Sequence, residues 1–355
     1  MTLLLFSLLV ASIGICAACI LLLLIGALHI PDRPMLMVIC GRKDHENGWF
    51  TLQLRNPVWR IWRPLPGFEA GQAISVAPPG SRMARRYSLA NWKPFPLVYE
   101  ITIKPEPNGK VSNALKETAL KGTRLTVRRP TGQFVLHAHR KDSPLVFIAA
   151  GVGITPLLAM LQSASVRRLL PDRVHFYWQV RRPFEWVYRQ SLEAIAKDNP
   201  KIRLNFLASA HPHSPSRLTV GNILSDEPEL AKAAIYMCAS ASMMESFAAG
   251  LLNLGVQREN IHYEHFGLGS TGGSGRYNIN FRGQAVEFNG HRTLLDALED
   301  AGVIIDADCR TGSCGRCQVK VTSGSISRLI DTEFKTPAGF ELACCTTPTS
   351  DAAFE

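Results

Sequence analysis

Apolar and polar positions change rhythm three times along the chain. Residues 2–30 contain no Asp, Glu, Lys or Arg and include four consecutive leucines at 21–24, a stretch long enough to cross a bilayer as a helix. Short apolar segments then recur at 35–39, 49–54, 72–76, 99–103 and 124–127, separated by turn residues. This pattern predicts the strands of an antiparallel β-barrel over 31–140. From 141 to 267 the strands become fully apolar, at 145–149, 174–178, 203–207 and 234–238, and alternate with helices expected from 156 and over 185–196. That alternation is the βαβ rhythm of a parallel sheet. A glycine- and serine-rich run at 267–275 reads as a linker. A hairpin at 277–281 and 284–288 and a helix over 293–301 then open a last module, 268–355. No internal repeat is visible.

At 355 residues, 46% hydrophobic and 19% charged, the chain can fill two or three cores and is neither disordered nor fibrous. The net charge of +10 is unevenly spread: residues 276–355 carry 8 Lys and Arg against 11 Asp and Glu, −3, leaving +13 for residues 1–275. An acidic module thus follows a basic body, and complementary charge would guide its docking. The basic body would also suit anionic lipid, and the Trp- and Arg-rich run at 55–63 could touch the membrane interface. No nucleic-acid partner is expected. The apolar N-terminus has no Lys or Arg ahead of it and no small-residue cleavage site after it, which favours a retained anchor, residues 1–30, over a cleaved signal. Arg33, Arg42 and Lys43 follow it, so the expectation is a single-pass membrane protein with its catalytic body on the cytoplasmic side.

The cysteines are more specific. Cys309, Cys314 and Cys317 stand as C-x4-C-x2-C, and the adjacent pair Cys344 and Cys345 follows 27 residues after Cys317. This is the plant-type spacing for a [2Fe–2S] cluster, with three thiolates from one glycine-containing loop and the fourth from a distant segment. Zinc sites usually use two C-x2-C pairs, and here there is one. A disulfide framework would need export, which nothing else in the chain favours.

Two further motifs point to organic cofactors. Arg85, Tyr87 and Ser88 offer a guanidinium for phosphate, an aromatic wall and a hydroxyl, which is what a flavin needs. Thr102 and Lys104 precede Gly109, Lys110, Val111 and Ser112, where a glycine turn and a helix start present N–H groups to an anion. Gly151, Gly153, Thr155 and Pro156 follow an apolar strand and open a helix, with Pro156 expected at its first position. Such a turn lets a dinucleotide's pyrophosphate approach the helix N-terminus. Cys238 ends a predicted strand at the carboxyl edge of the same sheet. A buried core thiol is the competing reading of it.

With these motifs in place, residues 35–351 resemble the ferredoxin–NADP reductase superfamily, in particular the iron–sulfur flavoprotein reductases of oxygenase systems. The Arg85-x-Tyr87-Ser88 run is similar to the family's flavin motif, Gly109 to Ser112 to its flavin-phosphate segment, residues 151–156 to its nicotinamide turn, and Glu264-His-Phe266 to the E-x-F beside the flavin. Where the family has C-G-P-x-x-M, this chain reads Cys238-Ala-Ser-Ala-Ser-Met243. The tail Leu342-Ala-Cys344-Cys-Thr-Thr-Pro348 resembles a ferredoxin pattern that makes Cys344 the fourth ligand.

The resemblance implies a flavin barrel, an NAD(P)-binding domain and a C-terminal β-grasp ferredoxin. It implies FAD rather than FMN and favours NADH over NADPH. Hydride would pass from NAD(P)H to flavin, and single electrons through the cluster to a terminal protein, which with the anchor suggests a membrane-bound oxygenase, hydroxylase or desaturase. The alternative acceptor is a quinone or a soluble redox or stress-response protein. No catalytic residue beyond the cofactors is expected.

Overall fold

The computed structural model describes residues 34–57, 64–81, 83–107, 109–211, 217–266, 275–330, 332 and 334–355. The expected anchor at 1–30, the run at 58–63 and the linker at 267–274 lie outside the described residues. Among the described residues no helix is long and apolar enough to cross a membrane.

Six antiparallel strands form the first module: β1 (Met35–Asp44), β2 (Phe50–Arg55), β3 (Ala73–Ala77), β4 (Arg85–Ser88), β5 (Tyr99–Ile103) and β6 (Arg124–Val127), in the order β4-β3-β6-β1-β2-β5. A bridge between Leu89 and Ile101 joins the two edge strands and closes the barrel. Inward positions Leu52, Leu54, Ile74, Val76, Ile101, Ile103, Leu125 and Val127 are fully buried, as the period-two alternation requires. Helix α1 (Lys110–Thr118) caps the barrel on Val111 and Leu115.

The second module is a parallel sheet of β7 (Leu145–Ala150), β8 (Val174–Val180), β9 (Ile202–Ala208), β10 (Ala234–Ala239) and β11 (Ile261–His265), ordered β11-β10-β7-β8-β9. Its helices are α2 (Ile154–Val166), α3 (Arg189–Asp198), α4 (Val220–Asp226) and α5 (Ala241–Asn253). Chain order reverses between β7 and β10, so a crevice opens there beyond the carboxyl ends of the strands. Two expectations are corrected here. Helix α2 begins at Ile154, not Pro156, after a 3-10 turn at Gly151–Gly153; a third-position proline is tolerated because that N–H has no helical partner anyway. The helix expected from 185 begins at Arg189, because Pro183–Glu185 forms a separate 3-10 turn.

The third module contains β12 (Arg276–Phe281), β13 (Gln284–Asn289), helix α6 (Leu294–Asp300), β14 (Gln318–Ser323), β15 (Ile326–Arg328), β16 (Phe340–Leu342), β17 (Thr346–Pro348) and β18 (Ala352–Phe354). The last strand pairs parallel to the first at the centre of the order β13-β12-β18-β14-β16, the β-grasp arrangement. Leu294, Leu295 and Leu298 of α6 bury against Phe288 and Phe354.

The first two modules share one core: Met37, Phe50, Trp92, Met160, Leu161 and Tyr236 belong to a single buried cluster. The third has its own. It meets the barrel through polar contacts, with Arg85–Glu299 at 3.6 Å, Arg128–Asp306 at 2.8 Å and Lys110–Asp300, and Ser75 donates to Asp308. In each ion pair the barrel carries the cation and the third module the anion, the complementarity anticipated from the uneven charge.

Candidate electron-transfer site

A cavity of about 360 Å³ lies where the three modules meet. The barrel lines it with Arg85, Tyr87, Ser88, Thr102, Lys104, Gly109, Lys110, Val111 and Ser112; the α/β module adds Val152, Thr155, Glu264 and Phe266; the third module adds Arg292, Cys309 and Arg310. Strand β4 delivers Tyr87 and Ser88, and the turn before α1 delivers Gly109 to Ser112. That turn is closed by Ser112, whose Oγ accepts from the Glu106 N–H at 3.2 Å. A Cβ on Gly109 would stand 2.5 Å from the same Oγ, so the turn has no room for a side chain there. The first N–H groups of α1 therefore reach the cavity unshielded.

The polar groups in the cavity fit a flavin. The Tyr87 hydroxyl is buried without a partner, and burial pushes its pKa up, so it stays a neutral donor. Ser88 Oγ donates to Glu264 Oε2 at 3.2 Å, tying the barrel to the end of β11. Burial is the largest cause of a lowered pKa at Arg85, followed by the nearby Arg310 cation. The Thr102 hydroxyl lies 2.7 Å from Thr51 Oγ1 and 2.5 Å from the Tyr188 hydroxyl, which places it in a buried hydrogen-bond network.

A second cavity of about 810 Å³ occupies the crevice at the strand ends. Ala150, Gly151 and Val152 lie at the end of β7 and just beyond it, Gln179 to Arg182 at the end of β8, Ser209 after β9, and Ala239, Ser240 and Met243 at the end of β10 and beyond it. Gly151 adopts a left-handed φ of +54° and its carbonyl accepts from Trp178 Nε1 at 3.0 Å. A Cβ on Gly153 would stand 2.0 Å from the Cys238 carbonyl oxygen, so only glycine lets the two strand ends meet. Val152, Lys104, Glu106 and Phe266 line both cavities, which therefore share a wall. Gly153, Pro156 and Cys238 line neither: the first packs on β10, the second is buried in α2, and the third is fully buried, its thiol pKa raised by that burial and by Glu264.

Cys309, Cys314, Cys317 and Cys344 come together in the third module, and Cys309 faces the cavity beside the barrel. Cys309 Sγ accepts from the N–H groups of Thr311, Ser313 and Cys314 at 3.3–3.4 Å. The neighbouring Cys314 and Cys344 also lower its pKa, and Cys344 lowers that of Cys317. Such N–H groups are how a protein stabilises negative sulfur around iron. Cys345 Sγ lies 3.5 Å from Cys344 Sγ, but the thiols that act on Cys309 and Cys317 are those of Cys314 and Cys344. Among the described residues no three side chains are arranged around a single ion; the thiols contact one another instead.

Sequence reasoning did not single out Arg292, Arg310 or Trp49. Arg292 and Arg310 reach the first cavity only because the third module docks on it, and Trp49 reaches the second from a barrel loop. No local motif marks any of them.

Comparison with known proteins agrees with this layout. Residues 278–349 match the 2Fe-2S iron-sulfur cluster binding domain, and residues 147–249 the oxidoreductase NAD-binding domain. The chain is 30% identical over 264 residues to phenoxybenzoate dioxygenase subunit beta of Ectopseudomonas oleovorans, covering 73% of this chain and 77% of that protein. It is 25% identical over 322 residues to the glycine betaine monooxygenase reductase subunit of Chromohalobacter salexigens, covering 81% and 87%. The solved structure of phthalate dioxygenase reductase, a modular structure for electron transfer from pyridine nucleotides to [2Fe–2S], superposes with a TM-score of 0.68 at 21% identity, over 91% of this chain and 98% of that one.

Proposed function

The chain belongs to the iron–sulfur flavoprotein reductases of the ferredoxin–NADP reductase superfamily and is an NAD(P)H-dependent oxidoreductase; on that premise we propose that it carries electrons from NADH to a terminal oxygenase, hydroxylase or desaturase at a membrane. The observation that carries this reading is the pair of shared walls. Phe266 and Val152 border both the nucleotide crevice and the flavin cavity, and Cys309 borders the flavin cavity from the other side.

Arg85, Tyr87, Ser88, Lys104 and the Gly109 to Ser112 turn would hold the flavin, and the Gly151 turn the nucleotide. Cys309, Cys314, Cys317 and Cys344 would hold the cluster. When bound, flavin and cluster supply the conversion of a two-electron donor into single electrons. The protein's part is placement. Ser88 and Glu264 fix the rim between barrel and nucleotide domain, and the buried Tyr87 hydroxyl would serve the cofactor. No general base or nucleophile is required. The two exposed arginines of the crevice, Arg181 and Arg182, are compatible with NADH as well as NADPH.

The charge-free run at 2–30 supports a single-pass anchor with the catalytic body on the cytoplasmic side. Tethering would raise the effective concentration of an acceptor in the same membrane. Anaerobic titration of the detergent-solubilised protein with NADH tests the relay. Bleaching of both flavin and cluster, with the paramagnetic signal of a reduced [2Fe–2S] centre, is expected, whereas flavin bleaching without that signal would sink the assignment of the four cysteines. Extraction from cell membranes by alkaline carbonate tests the anchor, since an integral span resists it.

A further inference from the structure

We propose that Arg292, a residue of the cluster module, is a ligand to the flavin's phosphate, so that the flavin is held across the seam between two modules. This rests on the first cavity being the flavin site. Several cations line that cavity, and most have carboxylate partners; Arg86 instead donates to the Thr131 carbonyl. Lys110 pairs with Asp300, Arg85 with Glu299 at 3.6 Å, Lys104 with Glu106 at 3.7 Å, and Arg310 with Asp296 at 3.0 Å and with Glu299.

Arg292 differs. Its Nε and Nη2 are buried and have no hydrogen-bond partner, although the side chain lines the cavity with Lys104, Gly109, Lys110 and Ser112. Burial is the largest influence on its pKa, which is lowered; the nearby Asp296 only partly opposes this, and that carboxylate already accepts from Arg310 at 3.0 Å. Leaving guanidinium donors buried and unpaired is costly, and a phosphate edge, with two oxygens side by side, matches their fork. The position fits as well. Asp300 takes both Lys110 and, at 3.2 Å, Nε2 of His291, the residue next to Arg292. The segment entering α6 is thereby fixed beside the Gly109 to Ser112 turn, where the free N–H groups of α1 also favour an anion.

Two consequences follow from a ligand that spans the seam. Flavin phosphate should hold the cluster module against the barrel, and by reciprocity the docked module should tighten the flavin.

The test uses the whole chain, carrying its cluster and freed of flavin, titrated with FAD and with riboflavin, which lacks phosphate, while flavin fluorescence is followed. Arg292→Gln should weaken FAD by about 10- to 100-fold and leave riboflavin within about twofold. Arg292→Lys, which keeps the charge and loses the fork, should fall between. Cluster absorbance reports whether the module is intact; if Arg292→Gln loses it, Arg292→Lys decides, with the same FAD-selective weakening expected. The proposal is overturned if the variants bind FAD as tightly as the parent, or if FAD and riboflavin weaken equally, which marks a purely structural residue. Failure of the parent chain to bind either flavin would instead remove the flavin assignment of the cavity.

Discussion

The two seams of this reductase are built from opposite materials. Between barrel and nucleotide domain the core is continuous: Met160 of α2 is fully buried, with its Cε 2.5 Å from where a Cβ on Gly71 of the barrel would stand, and the Trp92 N–H donates to Gln162 Oε1 at 2.8 Å. Among the described residues, the polar contacts between barrel and cluster module are ion pairs and a buried hydroxyl–carboxylate bond. Apolar burial is insensitive to salt and non-directional, so the first seam makes two modules into one body. Exposed ion pairs such as Lys110–Asp300 and Arg128–Asp306 are weak and screened, so the second seam positions a module without welding it. Hydride transfer needs close, fixed contact, whereas an electron carrier must both accept from the flavin and present itself to a partner; the two materials suit the two tasks.

Changes at the second seam and its cluster should spare the chemistry of the first. Replacing Cys344 by Ser is expected to have the largest effect, lowering electron delivery to a one-electron acceptor about 100-fold or more while NADH still bleaches the flavin. Cys345→Ser should keep the cluster, and stopped-flow spectra of the two variants side by side decide between the neighbours. Met160→Ala should cost about 2–5 kcal/mol and lower the unfolding midpoint of barrel and nucleotide domain together, because both lose the same packing; calorimetric melting of the two as separate transitions would show that the common core is not cooperative.

Acid should loosen the second seam. A hydrogen bond from Lys110 holds Asp300 below the usual carboxylate range, and Asp306 is also lowered because hydrogen bonds from Arg128 and Arg316 outweigh its burial. Depressed carboxylates contribute fully above their unfolded pKa, and the contribution is lost as pH falls through the folded values. The seam should therefore hold at neutral pH and loosen only below about pH 4. About 0.5 M salt should loosen it at neutral pH. Small-angle scattering that reports an expanding particle under both conditions, with flavin reduction unchanged by the salt at saturating FAD, is the expected result. The smallest effect belongs to Lys110→Ala, which removes a half-exposed pair and should cost no more than about 1 kcal/mol in thermal unfolding.

Much of the fold was readable along the chain because it rests on local periodicity. The strands Tyr99–Ile103 and Arg124–Val127 fall where their alternation puts them, and those around 145, 174, 203 and 234 where their apolar runs do. Helix α2 starts two residues before Pro156, since proline is acceptable anywhere in a first turn and the glycines before it form a separate 3-10 turn. Strand β11 and the short strands β14 to β18 carry weak alternation and become strands through their neighbours.

The sites divide in the same way. Tyr87, Ser88, the Gly109 turn and the cysteine loop are contiguous motifs, so their chemistry was legible before any geometry. Local patterns along the chain are enough to mark the three modules, the donor types for flavin, nucleotide and cluster, and the opposite charges of body and acidic module. It takes the packed fold to bring Cys309 and Arg292 into one cavity with Tyr87, to set Gly153 against the Cys238 carbonyl, and to make one seam apolar and the other ionic. The reason is physical: a motif records what one segment can bind, but the contact of segments some 200 residues apart in sequence depends on how whole surfaces pack, which no local pattern encodes.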